Sequence, residues 1–385
     1  MRVWLSAVLA VSLGVVASGG EGKKTENKQP IREQVTALHK AFINELAVQI
    51  KDLDAAKTEP ARNEIKDRID ALRAEVAEKV LAVAMSDPKD PGCLDAVMFA
   101  LGFAEHASRA EKRAQVVVEK ARDFLIATFA EDTNLKRTFP GLSKTARGRN
   151  ILRAFHEKTP GKEIKGAALY FLASGMLEEA DYPGGGLAPP LSAEKRDAGF
   201  EEAEAMLKKA AKEYGNVEVD DFAGKQSIAK AVEGQRFFLN NLTVGQVLPD
   251  SSCEDLHGKK VKISDYRGKV VVLDIWATWC GPCRSMIPHE RELVKNLKDR
   301  PFVFISLSAD DKRETLTKFL EKEPMPWVHW WNGDGKAGPV VDYRVQFYPT
   351  IYVLDQKGVI RFKHVRGQNM DDAIDVLLKE IKSKN

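Results

Sequence analysis

Val270-Val271-Val272-Leu273-Asp274-Ile275-Trp276-Ala277-Thr278-Trp279-Cys280-Gly281-Pro282-Cys283-Arg284 carries the decisive pattern of this chain. The run from Val270 to Ile275 is short, apolar and rich in β-branched residues, which predicts a buried parallel strand. Two cysteines two residues apart follow it, and a helix is predicted from about Pro282 to Leu297. A Cys-x-x-Cys held between a strand and a helix reads as a redox dithiol. Cys280 falls at the helix N-terminus, where unpaired N–H groups favour thiolate over thiol. Cys283 sits one turn further in, close enough to attack a mixed disulfide formed on Cys280. Pro282 suits the first helical turn, where its missing N–H costs nothing. The alternative is half of a zinc site, but zinc takes four Cys or His ligands. Cys93 and Cys253 form no second Cys-x-x-Cys, and among histidines only His289 lies nearby. No metal and no cofactor are expected.

Downstream, Phe302 to Leu307 predicts a second buried strand. Thr350 to Leu354 and Val359 to Lys363 flank Asp355-Gln356-Lys357-Gly358, a hairpin signal, and Asp371 to Ile381 predicts a closing helix. Trp327, His329, Trp330 and Trp331 form an aromatic cluster that reads as core packing. Asp274 lies on an otherwise apolar strand, where a lone carboxylate is costly unless paired, neutral or useful. A strand-end Asp facing solvent is the bland alternative.

Upstream of about Leu242 the texture is different. Ile31, Val35, Leu38, Phe42, Leu46, Ile50 and Leu53 make the stripe of an amphipathic helix. Ile65, Ile69, Leu72, Val76, Val80 and Val83 repeat it after Pro60, so the two helices are expected to pair as an antiparallel hairpin. Asp87-Pro88-Lys89-Asp90-Pro91-Gly92 marks a turn. Further helices are predicted near 94–105, 112–129, 144–156, 162–178, 200–214 and 227–240. Tyr182 to Pro190, with three glycines and three prolines, reads as an irregular loop. The succession of helices resembles a tetratricopeptide-type array, but the signature residues are missing.

The N-terminus reads as an export signal. Arg2 precedes an apolar stretch from Val3 to Val16, and Ala17, Ser18 and Gly19 are small. The stretch falls short of the roughly 18 residues of a spanning helix, so residues 1–19 are expected to be cleaved, with a membrane anchor as the alternative. Residues 20–29 are polar and read as a flexible tether. The chain is then expected to be multi-domain: an all-α helical region at 30–241, repeat-like in its succession of helices, followed by an α/β domain at 242–385. An extracytoplasmic, periplasmic location follows from the signal. Four cysteines in 385 residues are too sparse for a disulfide scaffold. The balance of 59 basic and 56 acidic residues, net +3, gives no nucleic-acid footprint.

From Val247 onward the sequence resembles the TlpA/ResA-like branch of thioredoxin-fold proteins, extracytoplasmic thiol–disulfide oxidoreductases. The likeness rests on Asp255-Leu256-His257-Gly258-Lys259-Lys260-Val261, Ile263-Ser264-Asp265-Tyr266-Arg267-Gly268-Lys269-Val270-Val271-Val272, Trp276 to Arg284, Pro288 and Tyr348-Pro349-Thr350. It covers about a third of the chain. The resemblance implies a thioredoxin-like fold and a redox-active disulfide between Cys280 and Cys283. It also implies a cis peptide bond before Pro349, opposite the dithiol, that leaves backbone groups free to pair with an extended client segment. Trp279, Gly281, Pro282, Tyr348 and Thr350 would then form the substrate-binding surface. Asp274 matches the buried acid of thioredoxins proper, which implies a proton relay to Cys283. One departure is that Ser285-Met286-Ile287-Pro288 stands where many relatives carry a Glu before Met-Pro, and Pro288 is expected to kink the helix. A peroxidase is the nearest rival on this fold, but Pro-x-x-x-Thr-x-x-Cys aligned on Cys280 needs Pro at 273 and Thr at 277, and the chain has Leu273 and Ala277.

The expected partners are protein disulfides and a thiol electron donor. The alternative reading is a scaffold whose helical region recruits clients, with the redox domain accessory. Cys93 and Cys253 are expected to be free thiols rather than a bridge.

Overall fold

A computed structural model describes residues 29–183, 191–333 and 337–382. The expected signal segment, the tether apart from Gln29, and residues 184–190 of the glycine- and proline-rich loop lie outside these. The chain packs as two compact units that divide after Phe103, so the change of texture near 242 falls inside the second.

The first unit is built on α1 (Ile31–Ala55), α2 (Glu59–Met85) and most of α3 (Cys93–Glu105). Thr58 caps α2 by accepting from the Ala61 amide, and Pro60 occupies the first turn. Leu53 packs on Ile65 and Ile69, the contact expected of an antiparallel hairpin. Phe42, Phe99 and Phe103 meet edge to face, with ring centroids 4.7 and 5.0 Å apart.

The second unit begins with α4 (Glu111–Phe129), α5 (Phe139–Ser143), α6 (Ala146–Lys158), α7 (Lys162–Asp181) and α8 (Ala193–Tyr214). A small hairpin, β1 (Glu218–Asp221) and β2 (Gly224–Ser227), precedes α9 (Ile228–Asn241), an element the helical reading did not contain. Helix α7 touches α5, α6, α8 and α9, so it is a hub rather than one member of a nearest-neighbour stack. Glycines allow that crowding: a Cβ at Gly166 would stand 2.6 Å from the Tyr214 side chain, and one at Gly175 would stand 2.2 Å from the Ser143 carbonyl oxygen.

The sheet domain follows as β3 (Cys253–Asp255), β4 (Lys260–Val261), β5 (Val270–Trp276), α10 (Gly281–Arg284), α11 (Ile287–Asn296), β6 (Phe302–Ser308) and α12 (Arg313–Lys322). It closes with β7 (Val328–Trp331), α13 (Pro339–Asp342), β8 (Thr350–Leu354), β9 (Ile360–Lys363) and α14 (Gln368–Lys382). The order across the sheet is β4-β3-β7-β6-β5-β8-β9. Strands β5, β6 and β7 run parallel, β8 is antiparallel to β5, and β9 is antiparallel to β8. Every residue of β5 is buried, which explains its unbroken apolar run. Alternation sends Val271, Leu273 and Ile275 into one cluster and Val270 and Val272 into another, beneath Leu293 of α11 and Ile374 of α14.

The helix expected from Pro282 to Leu297 is not continuous. It breaks at Ser285-Met286 into α10 and α11, with Pro288 in the first turn of α11 instead of kinking a longer helix. The tryptophan-rich run becomes β7, with Trp330 buried in the main core, so its packing role holds.

Candidate active site

Strand β5 delivers Ala277-Thr278-Trp279 to the edge of the domain, and Cys280 caps the single turn of α10. Cys280 and Cys283 are joined by a disulfide, Cα–Cα 5.3 Å. The Cys283 amide donates to Cys280 Sγ at 3.2 Å. Because α10 is one turn long, what it offers Cys280 Sγ is this single directed N–H rather than the dipole of a long helix. Both sulfurs lie in a small cluster with Trp276, Ala277, Ile287, Leu316 and Met325, against which Tyr348 packs.

The Tyr348–Pro349 peptide bond is cis. Tyr348 meets Trp279 edge to face at 5.5 Å, so the prolyl turn and the dithiol loop adjoin. Trp279 is 68% exposed, the most open large apolar side chain among those described. Thr350 is buried and donates to the Phe347 carbonyl at 2.7 Å. A Cβ at Gly281 would meet nothing within 4 Å, while Cys280 and Cys283 themselves are buried.

Asp274 faces inward, 3% exposed. Burial pushes its carboxyl up to about 7, against a smaller downward pull from Arg366. The surface-facing alternative is thereby excluded.

Two acids that the sequence did not single out belong to the same region. Asp310 is buried and accepts from the Thr278 amide at 3.1 Å, the Thr278 hydroxyl at 2.7 Å and the Ser308 hydroxyl at 2.7 Å. It pins the loop that leads into the dithiol. Its own carbonyl accepts from Trp331 Nε1. Glu290 on α11 is 1% exposed, and burial first and the Asp274 charge second push it up to about 9. Its helical phase, three residues after Ile287 and three before Leu293, was the available signal.

Cys93 and Cys253 are both free and buried. Burial drives their thiols up, to about 11 and about 12. Among the described residues no group of three or more His, Cys, Asp or Glu could hold a metal. No described helix is long and apolar enough to cross a membrane.

Behind the prolyl turn lies a cavity of about 320 Å³. Phe347 and Thr350 line it from the turn, Tyr170 and Ser174 from α7, and Arg344 and His364 from the sheet domain.

The AhpC/TSA family matches this chain over residues 244–363. The chain is 37% identical over 123 residues to the thioredoxin-like protein YneN of Bacillus subtilis (strain 168), a span of 31% of this chain and 71% of YneN. It is 28% identical over 141 residues to the thiol-disulfide oxidoreductase ResA of Bacillus thuringiensis subsp. konkukian (strain 97-27), 36% of this chain and 79% of ResA. It is 31% identical over 134 residues to the thiol:disulfide interchange protein DsbE of Vibrio cholerae serotype O1 (strain ATCC 39315 / El Tor Inaba N16961), 34% and 70% respectively. With these matches beside a strand–dithiol–helix unit and an adjoining cis-prolyl turn, the chain belongs to the thioredoxin-fold thiol–disulfide oxidoreductases.

Proposed function

We propose that this protein is exported and reduces or exchanges disulfides in client proteins through Cys280 and Cys283. The observation that carries the reading is the Cys283 N–H aimed at Cys280 Sγ beside the exposed Trp279 and the Tyr348–Pro349 turn. In the reduced protein Cys280 attacks the client disulfide as thiolate, and one client sulfur leaves with the electron pair of the broken bond. Cys283 then loses its proton to Asp274 and attacks Cys280 Sγ, which releases the second client sulfur and closes the Cys280–Cys283 disulfide. A thiol donor restores the dithiol. Trp279, Gly281, Pro282, Tyr348 and Thr350 frame the docking surface, with Pro349 shaping the turn. Arg2 and the apolar run Val3 to Val16 support export.

Replacing Cys280 with Ser is expected to abolish reduction of insulin disulfides by the dithiothreitol-fed protein; retained activity refutes the assignment. The potential of the pair separates the two directions of electron flow. A value near about −270 mV fits a reductase and one near about −120 mV an oxidase.

A second reading, in which the helical region at 30–241 selects clients for the redox domain at 242–385, draws support from the cavity that α7 shares with the prolyl turn. Under that reading, filling the cavity with Ser174→Phe changes the choice among protein clients and leaves reduction of a small disulfide intact.

A further inference from the structure

Asp274 is the acid that a strand-based reading finds; Glu290 is its unexpected neighbour. Along β5, Asp274 comes between Val272, which packs under α11 and α14, and Trp276, which packs with the two sulfurs. Along α11, Glu290 comes between Ile287, which packs with the sulfurs, and Leu293, which packs with Val272. Strand alternation and helical phase therefore bring both carboxyls to the same level of the same face, one layer below the dithiol. Both are almost wholly buried, and Asp274 Oδ1 and Glu290 Oε1 each lack a hydrogen-bond partner among the described residues. Two buried carboxylates that feel one another's charge are not both ionised near neutral pH, so such a pair keeps a proton.

The other groups around the pair do not supply a compensating charge of that size. Across β5 stand Ser306 of β6, whose hydroxyl accepts from Trp327 Nε1, and the apolar Ile351 of β8. Arg366 pulls Asp274 down, but less than burial pushes it up. His289 and Asp371 pair with one another between α11 and α14 at 3.0 Å.

We propose that Glu290 is a positioning residue for the dithiol chemistry, forming with Asp274 a two-carboxyl store that holds one proton at rest and two after Cys283 is deprotonated. The inference rests on the dithiol reading above. At rest Glu290 keeps its proton and Asp274 is the carboxylate. The Cys283 S–H bond breaks and its proton moves to Asp274, so the pair becomes neutral. The Cys283 thiolate forms the new S–S bond to Cys280 while the client thiolate departs with the electron pair. The pair then returns one proton to solvent.

The test is a titration of the Asp274 carboxyl by carbon-13 NMR on full-length protein labelled in its aspartates, with Asp274→Asn to assign the signal. In the unaltered protein the signal moves in two steps, its own ionisation and a later one that mirrors Glu290. In Glu290→Gln, and independently in Glu290→Leu, the later step is lost. The rate at which a trapped mixed disulfide releases its second client thiol loses its upper pH dependence in the same variants. In an Asp274→Asn background the Glu290 substitution leaves that profile unchanged. An Asp274 titration that superposes on the unaltered one in both Glu290 variants overturns the proposal. The NMR result stands whether or not insulin is reduced, so failure of the oxidoreductase reading and failure of the carboxyl pair are told apart.

Discussion

Asp181→Asn tests how the helical layer of the second unit is fastened to the sheet. Asp181 ends α7 and Lys363 ends β9, and their side chains meet at 2.5 Å, 6% and 3% exposed. Burial raises the Asp181 carboxyl despite the opposing pull of Lys363. The pair is therefore no large net gain over apolar residues, yet removing one half strands the other charge. Breaking a buried pair in this way costs about 3–5 kcal/mol. Lys363 keeps the faces of Phe238 and Tyr352, 4.7 and 5.4 Å from its Nζ, which offsets about 1–2 kcal/mol. The expected net loss is then about 1–4 kcal/mol, read as a fall in the urea midpoint followed by circular dichroism. The double change Asp181→Leu with Lys363→Met is expected to return to within about 1 kcal/mol of the starting stability or to exceed it. If Asp181→Asn shifts the midpoint by less than the equivalent of about 0.5 kcal/mol, the buried-charge argument is wrong.

Three further outcomes follow from the site. Asp310→Ala unpartners the Thr278 amide and hydroxyl and the Ser308 hydroxyl, and is expected to cost at least about 2 kcal/mol and to slow insulin reduction, measured on the same preparation. Asp274→Asn is expected to raise the melting temperature more at pH 8 than at pH 4. A raised folded pKa means stability is full below the unfolded value near about 4 and is lost as pH rises through about 7; an equal gain at both pH values contradicts this. Trp279→Ala is expected to lower kcat/KM for a protein disulfide by about tenfold while sparing a small disulfide, since it removes an exposed aromatic side chain at the proposed docking surface.

The dithiol unit was legible because its logic is local. A fully buried parallel strand reads as an unbroken apolar run, and Cys280, Pro282 and Cys283 sit within one turn of each other. The prolyl turn came through its resemblance rather than through any periodicity. What stayed hidden depends on neighbours distant in sequence. Asp310 is an ordinary loop acid until β5 and β6 align and bring Thr278 to it across 32 residues. Lys363 and Asp181 are separated by 182 positions, so neither looks buried from its own surroundings. Glu290 is masked by His289 and Arg291, which give that turn a polar texture. The β3–β4 ladder was missed because two- and three-residue strands leave no alternation to count.

The two remaining thiols have a consequence for how the molecule survives its own chemistry. With Cys93 and Cys253 driven up to about 11 and about 12, fewer than roughly one in 10,000 or so carries a negative charge at pH 7. Neither is then a useful attacker on the Cys280–Cys283 bond, and each lies under packed side chains. To its surroundings the folded chain offers one exchangeable bond, Cys280–Cys283, and carries two electrons through it, with Cys93 and Cys253 held back by burial.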